Sequence, residues 1–364
     1  MMLRHLLACA AISALMAPAL LPSAFAQTPV ATRQVGTATL QGVPAIPDEV
    51  AEAVQRYQNS RAATFEDWLP DGSMLIATRF GATQQIHHVA APGGARTQVT
   101  FAAEPIGGAS VIPGTDRFVL SRDTGGDEWY QFHARGLTGT ATQLTEPGTR
   151  NQDAAFSKDG SLLVWAQATK GSAAYSILGT DPTRPSAPRT LFQSDGAVGP
   201  AGISEDKRRL IFTRGISNRE SQLFLLDLAS GQATRIAPDA PTALYQDPRF
   251  LPGGKSLIAI SDLNSDTRRL VEIDLATGTE TVLTPGLPWN VDSYDLTDDG
   301  RVLAYEINED GFSRVVVQDR VTRRALPQPE LPRGVLTALK FSPDGRRLAL
   351  GLTNATSAGD VWSW

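Results

Sequence analysis

Cysteine is almost missing from this 364-residue sequence: the one copy, Cys9, lies within the first 26 residues. Without that segment no disulfide can form, so stability must come from packing alone, which a chain of this size permits. Histidine is scarce as well, with four in all. His87 and His88 are adjacent on an expected strand and so point to opposite faces. Together with His133 they are expected to be packing residues, not a base or a metal set. The Gly-x-Ser-x-Gly elbow of serine hydrolases occurs nowhere: Ser204 and Ser217 each follow a glycine by two positions but lack the second one. A large excess of one charge is also lacking, the formal net charge being −5 with 20% charged residues. Neither nucleic acid nor an anionic membrane surface is therefore an expected partner.

Long apolar runs are confined to the beginning. Arg4 and His5 precede an apolar stretch over residues 6–21, and Ala24-Phe25-Ala26 stands just before Gln27. That is the layout of a cleaved secretory signal over residues 1–26, with Cys9 as part of its apolar core. Ser13, Pro18 and Pro22 interrupt the run, so no membrane insertion is expected after cleavage, and the mature protein is expected to be periplasmic or secreted. Residues 27–61 read as an extended arm with a short helix over 49–57, whose Val50, Val54 and Tyr57 share one face. That face is expected to lie across the remaining chain or against a partner domain.

A turn repeats through residues 62–364. It is seen as Trp68-Leu69-Pro70-Asp71-Gly72, Phe156-Ser157-Lys158-Asp159-Gly160, Phe250-Leu251-Pro252-Gly253-Gly254, Leu296-Thr297-Asp298-Asp299-Gly300 and Phe341-Ser342-Pro343-Asp344-Gly345. Weaker copies end at Thr115 and Lys207. The seven copies end at 72, 115, 160, 207, 254, 300 and 345, at gaps of 43 to 47 residues. Between turns come short apolar runs such as Leu210-Ile211-Phe212-Thr213 and Leu270-Val271-Glu272-Ile273, parted by polar loops and Ala-Ser-Gly or Ala-Thr-Gly turns. Four short strands per unit of about 45 residues predict an all-β, seven-bladed β-propeller of four-stranded antiparallel blades, with the last blade incomplete. A pair of β-sandwiches would not repeat its turn chemistry at a fixed period. Asp and Gly suit the tight turn, so these residues are structural, and Trp68, Phe156, Phe250 and Phe341 are expected in the core.

Several motif fragments are set aside. Gly254-Lys255-Ser256 resembles the end of a phosphate loop, but Arg249 stands where the first glycine belongs. Asp262-x-Asn264-x-Asp266 resembles a calcium loop, yet Thr267 replaces the bend glycine and Ile273 the last acid. Asn354-Ala355-Thr356 fits a glycosylation acceptor. No cofactor or metal is expected. One stretch stands out: Ser121-Arg122-Asp123-Thr124-Gly125-Gly126-Asp127-Glu128-Trp129-Tyr130-Gln131-Phe132-His133, in the loop between the second and third strands of blade two. A demanding turn with solvated charges is one reading. The other is a rim, formed by Arg122, Asp123, Gly125, Gly126, Asp127, Glu128 and Tyr130, that contacts a partner domain or an amine-bearing ligand.

Asp123-x-Gly125-Gly126-Asp127-Glu128-x-x-Gln131 resembles a blade-two signature of the prolyl oligopeptidase family of serine peptidases, in its acylaminoacyl-peptidase-like branch. The stretch from Tyr57 to Arg79 resembles the first blade of its amino-terminal propeller. Residues 353–364 resemble the segment that leads towards its catalytic domain. His133 stands where a tyrosine is more usual. The resemblance implies a propeller that gates the entry of peptides, followed by an α/β-hydrolase domain with a Ser-Asp-His triad. The chain is thus expected to be a truncated, catalytically inert portion whose partners are that missing domain and peptides. A free-standing propeller like that of the Tol system, which shares the Pro-Asp-Gly repeat, remains an alternative protein-binding reading. A metal-dependent lactonase would need convergent ligands from several inner strands, and the sequence offers no such set.

Overall fold

The computed structural model describes residues 30–36, 38–236 and 242–364. The expected signal segment lies outside them. The chain divides into two compact units, one reaching to Ala45 and the other running from Ile46 to Trp364. In the first, Thr32–Val35 pairs with Ala38–Gln41 as an antiparallel hairpin. The second opens with the helix Asp48–Gln58, one turn of which carries Asp48 and Glu49 where the helix dipole favours acids. Val50, Val54 and Tyr57 do fall on this helix, but all three are exposed and the helix buries no residue. The face therefore does not lie across the described residues of this chain, which corrects that half of the expectation.

Seven antiparallel sheets follow, spanning 63–98, 108–143, 149–194, 198–235, 245–282, 291–319 and 335–363. Within each, the chain steps outward strand by strand, the arrangement of a seven-bladed propeller. Five blades have four strands. Blade seven has three, as expected, and so has blade six, which was not. In blade six the fourth position is marked by an isolated bridge between Gln318 and Ala325, by the Asp319 amide donating to the Arg324 carbonyl at 2.9 Å and the Leu326 amide to the Val317 carbonyl at 3.0 Å, and by the Gln328 side chain bonding the Val317 backbone. Pro327, Pro329 and Pro332 follow at once, and proline has no N–H to extend a ladder.

The repeated turn closes the same way in all seven blades. The amide of its last residue donates to the carbonyl three positions back, at 2.7–3.1 Å, from Gly72 to Leu69 through Gly345 to Ser342. In four copies a hydroxyl (Ser157, Ser204, Thr297, Ser342) also donates to the turn aspartate, at 2.6–2.7 Å. That bond is the main reason the Asp206, Asp299 and Asp344 carboxyls are held below the usual range. These acids are spent on the fold.

Second strands are buried almost throughout, as in Ser256–Ser261, because each blade is covered on both faces by its neighbours. Six apolar clusters each join two consecutive blades. Leu75, Ala77 and Ile86 meet Val111 and Phe118 between blades one and two, and Ala304 and Val317 meet Leu348 and Leu350 between six and seven. The same holds at the four interfaces between. Blade seven meets blade one differently. There the Trp68 indole N–H donates to the Lys340 carbonyl at 3.0 Å, Lys340 pairs with Asp67 at 2.7 Å, and Arg347 donates to the Gly72 carbonyl at 2.9 Å.

Candidate functional site

Inner strands face the central channel, so one side of each is wet and their sequences are the most polar of the blade: Thr149–Phe156 reads TRNQDAAF and Tyr245–Phe250 reads YQDPRF. In six of the seven blades the register between the inner and second strands slips midway. Such bulges re-aim a side chain. Four of the displaced residues are acidic: Glu66, Asp153, Asp247 and Asp292. Asp153 and Asp247 take positive φ values of 54° and 49° there. Asp292 is paired with Arg268.

Glu66 and Asp153 border a cavity of about 480 Å³ at blades one to three, which Ser110, Ser121, Tyr130 and Asn151 also line. Glu66 Oε2 accepts the Ala109 amide at 2.8 Å. Burial pushes its carboxyl up to about 7; the Ala109 bond opposes that rise and the adjacent Asp67 charge adds to it. Burial also raises the Asp153 carboxyl, against a bond from Gln152. Two acids of weakened ionisation thus face one cavity, a setting that favours a ligand's cationic or hydrogen-bonding group.

Glu66 has a consequence for stability. Its ordinary value is 4.5 and its folded value about 7, so between these the folded chain holds a proton the unfolded chain has lost. Its contribution is full below pH 4.5 and is lost as the pH rises through 7. Glu66→Gln is expected to remove that loss, on the order of 3 kcal/mol. Urea midpoints of both proteins across that range test this: parallel slopes would refute it.

The loop over 123–130 lies, as expected, between the second strand Arg117–Arg122 and the third strand Gln131–Gly136 of blade two. Two of its three acids, Asp123 and Asp127, bond to the loop itself. Asp127 Oδ1 accepts the amides of Trp129 at 3.0 Å and Thr124 at 3.3 Å, and Asp123 Oδ2 accepts the Glu128 amide at 3.0 Å. Gly125 and Gly126 have φ values of 63° and 76°, and Glu128, at 59°, carries real strain. At the far end Gln131 bridges to blade three, its Nε2 donating to the Thr149 carbonyl at 2.5 Å, while Asn151 Nδ2 donates to the Tyr130 carbonyl at 2.9 Å. Of the seven rim residues, then, Asp123, Gly125, Gly126, Asp127 and Glu128 shape the loop. Tyr130 alone reaches the acidic cavity, and Arg122 lines a separate cavity on the other side.

His87, His88 and His133 sit on third strands, away from the channel. His88 Nε2 meets Ser73 Oγ at 2.8 Å, but that hydroxyl already donates to Asp71 at 2.6 Å. Ser73 is thus an acceptor towards His88, the reverse of what a nucleophile and its base require. Asp262 Oδ1 accepts the Leu244 amide at 2.7 Å, which suits a turn. Among the described residues no group of three or more His, Cys, Asp or Glu is placed to hold a metal.

No protein-family model matches this chain, and no curated protein matches it by sequence. Solved structures do. A prolyl endopeptidase superposes over 92% of this chain with a TM-score of 0.64 and 15% identity. The oligogalacturonate lyase of Vibrio parahaemolyticus covers 84% (TM-score 0.64, 11% identity), and an oligogalacturonate lyase in complex with manganese covers 92% (TM-score 0.66, 12% identity). The shared feature is the propeller fold. The match takes in 56% of the prolyl endopeptidase's length, against 89% and 96% of the two lyases.

Sequence reasoning missed Glu66, Asn151 and Asp153. A weak signal was present, since each is a polar residue on an inner strand, six to nine positions ahead of the turn's last glycine at 72 or 160.

Proposed function

We propose that this propeller is the non-catalytic, substrate-gating part of an exported serine peptidase of the prolyl oligopeptidase family, in its acylaminoacyl-peptidase-like branch. The chemistry would come from an α/β-hydrolase domain outside these 364 residues, carrying the Ser-Asp-His triad. The observation that carries this reading is the segment 123–131. The residues that resemble the branch signature form a strained loop stapled to blade three, beside the acidic cavity of Glu66 and Asp153. A fixed rim limits the width of an entrance, and weakly ionised acids behind it can hold a peptide's amino end through hydrogen bonds. The propeller fold shared with a prolyl endopeptidase supports the same reading.

The test uses antibody to this propeller and a serine-reactive fluorophosphonate probe on periplasmic and culture fractions of the source cell. The expected species is larger than the propeller by roughly 250 residues, the size of a hydrolase domain, and takes up the probe. An unlabelled species of propeller size would overturn the proposal. It would favour instead a free-standing, Tol-type binding module, a reading supported by near-complete coverage of the two lyases, whose chains are little longer than the matched propeller.

A further inference from the structure

Arg122 faces a cavity of about 640 Å³ in the cleft between the outer part of blade one and blade two. The ionisable residues lining it are Arg122, His133 and Arg135, with no Asp or Glu, in a chain where acids outnumber Lys and Arg by 38 to 33. Arg135 donates to the carbonyls of Gly136 at 3.0 Å and Gly139 at 3.2 Å, so it is fixed in place and lends mainly charge. The Arg122 side chain makes neither an ion pair nor a hydrogen bond among the described residues, and the residue is exposed.

His133 is 5% exposed, and its Nδ1 lies 3.2 Å from the Gln131 carbonyl. A carbonyl can only accept, so Nδ1 carries the proton and Nε2 presents a lone pair. No described residue donates to that lone pair. Burial, and next the charge of Arg122, lower the His133 pKa, which keeps the ring neutral and Nε2 an acceptor at neutral pH. Part of the remaining wall is apolar, with Ile106 and Leu137 lining it and Phe101 79% exposed beside them, and part is neutral and polar, from Gln98, Thr100, Thr138 and Thr140.

We propose that this cleft binds a small organic acid with a hydroxyl and an apolar, ring-sized body. The carboxylate pairs with the Arg122 guanidinium, the hydroxyl donates to His133 Nε2, and the body lies against Phe101 and Leu137. A guanidinium suits a carboxylate in charge and shape, and the cavity is within the usual size for small-molecule sites, roughly 300–1,000 Å³. The proposal does not depend on the peptidase reading, because none of these residues borders the acidic cavity.

Titration calorimetry of the full chain with 3-phenyllactate, its methyl ester and 3-phenylpropionate tests it. The acid is expected to bind with a Kd below about 1 mM. The ester, which lacks the charge, is expected to bind about tenfold to a hundredfold more weakly. Phenylpropionate, which lacks the hydroxyl, should bind about fivefold more weakly. Arg122→Gln, at an exposed position where folding should be kept, abolishes the preference for acid over ester, and His133→Phe abolishes the preference for the hydroxyl. Glu66→Gln leaves all three affinities unchanged. Equal binding of acid and ester, unchanged affinity in Arg122→Gln, or no heat with the acid at ~10 mM would overturn the proposal.

Discussion

Trp68→Ala is expected to be the most damaging single substitution in the propeller, costing about 3–5 kcal/mol. The ring is 2% exposed and stands where blade seven meets blade one. Phe65 packs edge-on against it at 5.8 Å, and the Arg347 guanidinium lies over its face at 4.8 Å. Truncation would remove the large apolar filler of this contact and orphan the Lys340 carbonyl that its N–H satisfies. The other six contacts between blades each have an apolar cluster, so the closing one has less to fall back on. Trp68→Phe retains the bulk but loses the N–H, and is expected to cost about 1–2 kcal/mol. Urea unfolding gives both values, and hydrogen exchange locates the effect. Amides of blades one and seven should lose protection before those of blade four, whereas uniform loss across the ring would show that the closing contact is no weaker than the rest.

This contact also shows what a sequence can reveal. Arg347 stands two residues after its turn, donates to the glycine carbonyl of the next blade's turn and covers that blade's aromatic residue. Arg209 does the same between blades four and five, donating to the Gly254 carbonyl at 2.7 Å with its guanidinium 5.4 Å from the Phe250 ring. Turn glycine, aromatic and arginine recur because each blade repeats one local problem, a tight reversal that must seal against its neighbour. Period and composition record that plainly, so the blade count was legible. The three-stranded form of blade six was not, since it depends on prolines that follow the strand, not on any feature within it.

The site was legible only in part, for a different reason. Asp123, Asp127 and Glu128 look like ligand-binding acids in a list of residues, yet the first two spend their carboxylates on amides of their own loop. A sequence shows that an acid is present but not which N–H groups a turn will aim at it. Glu66 and Asp153 are the reverse case. Their exposure to the cavity follows from slips of register against the second strand, and cross-strand register is set by packing on both sides of the blade.

Asp295→Ala is expected to cost about 2–4 kcal/mol, because one carboxylate ties three blades together. It belongs to blade six and is buried. Its Oδ2 accepts the Phe341 amide of blade seven at 2.6 Å, and its Oδ1 pairs with Arg249 of blade five. Loss of the carboxylate strands a buried amide, which costs about 1–3 kcal/mol by itself. The orphaned charge adds less than a fully buried one would, since Arg249 keeps 46% of its side-chain surface open to the channel, where water screens it. The order of three variants follows from this. Asp295→Asn, which can still accept the Phe341 amide, should cost less than Asp295→Ala. Arg249→Ala should also cost less than Asp295→Ala, because the Phe341 bond survives it. Were Arg249→Ala as damaging as Asp295→Ala, the ion pair and not the link to blade seven would be the main contribution. Urea midpoints of the three variants measured side by side distinguish these outcomes.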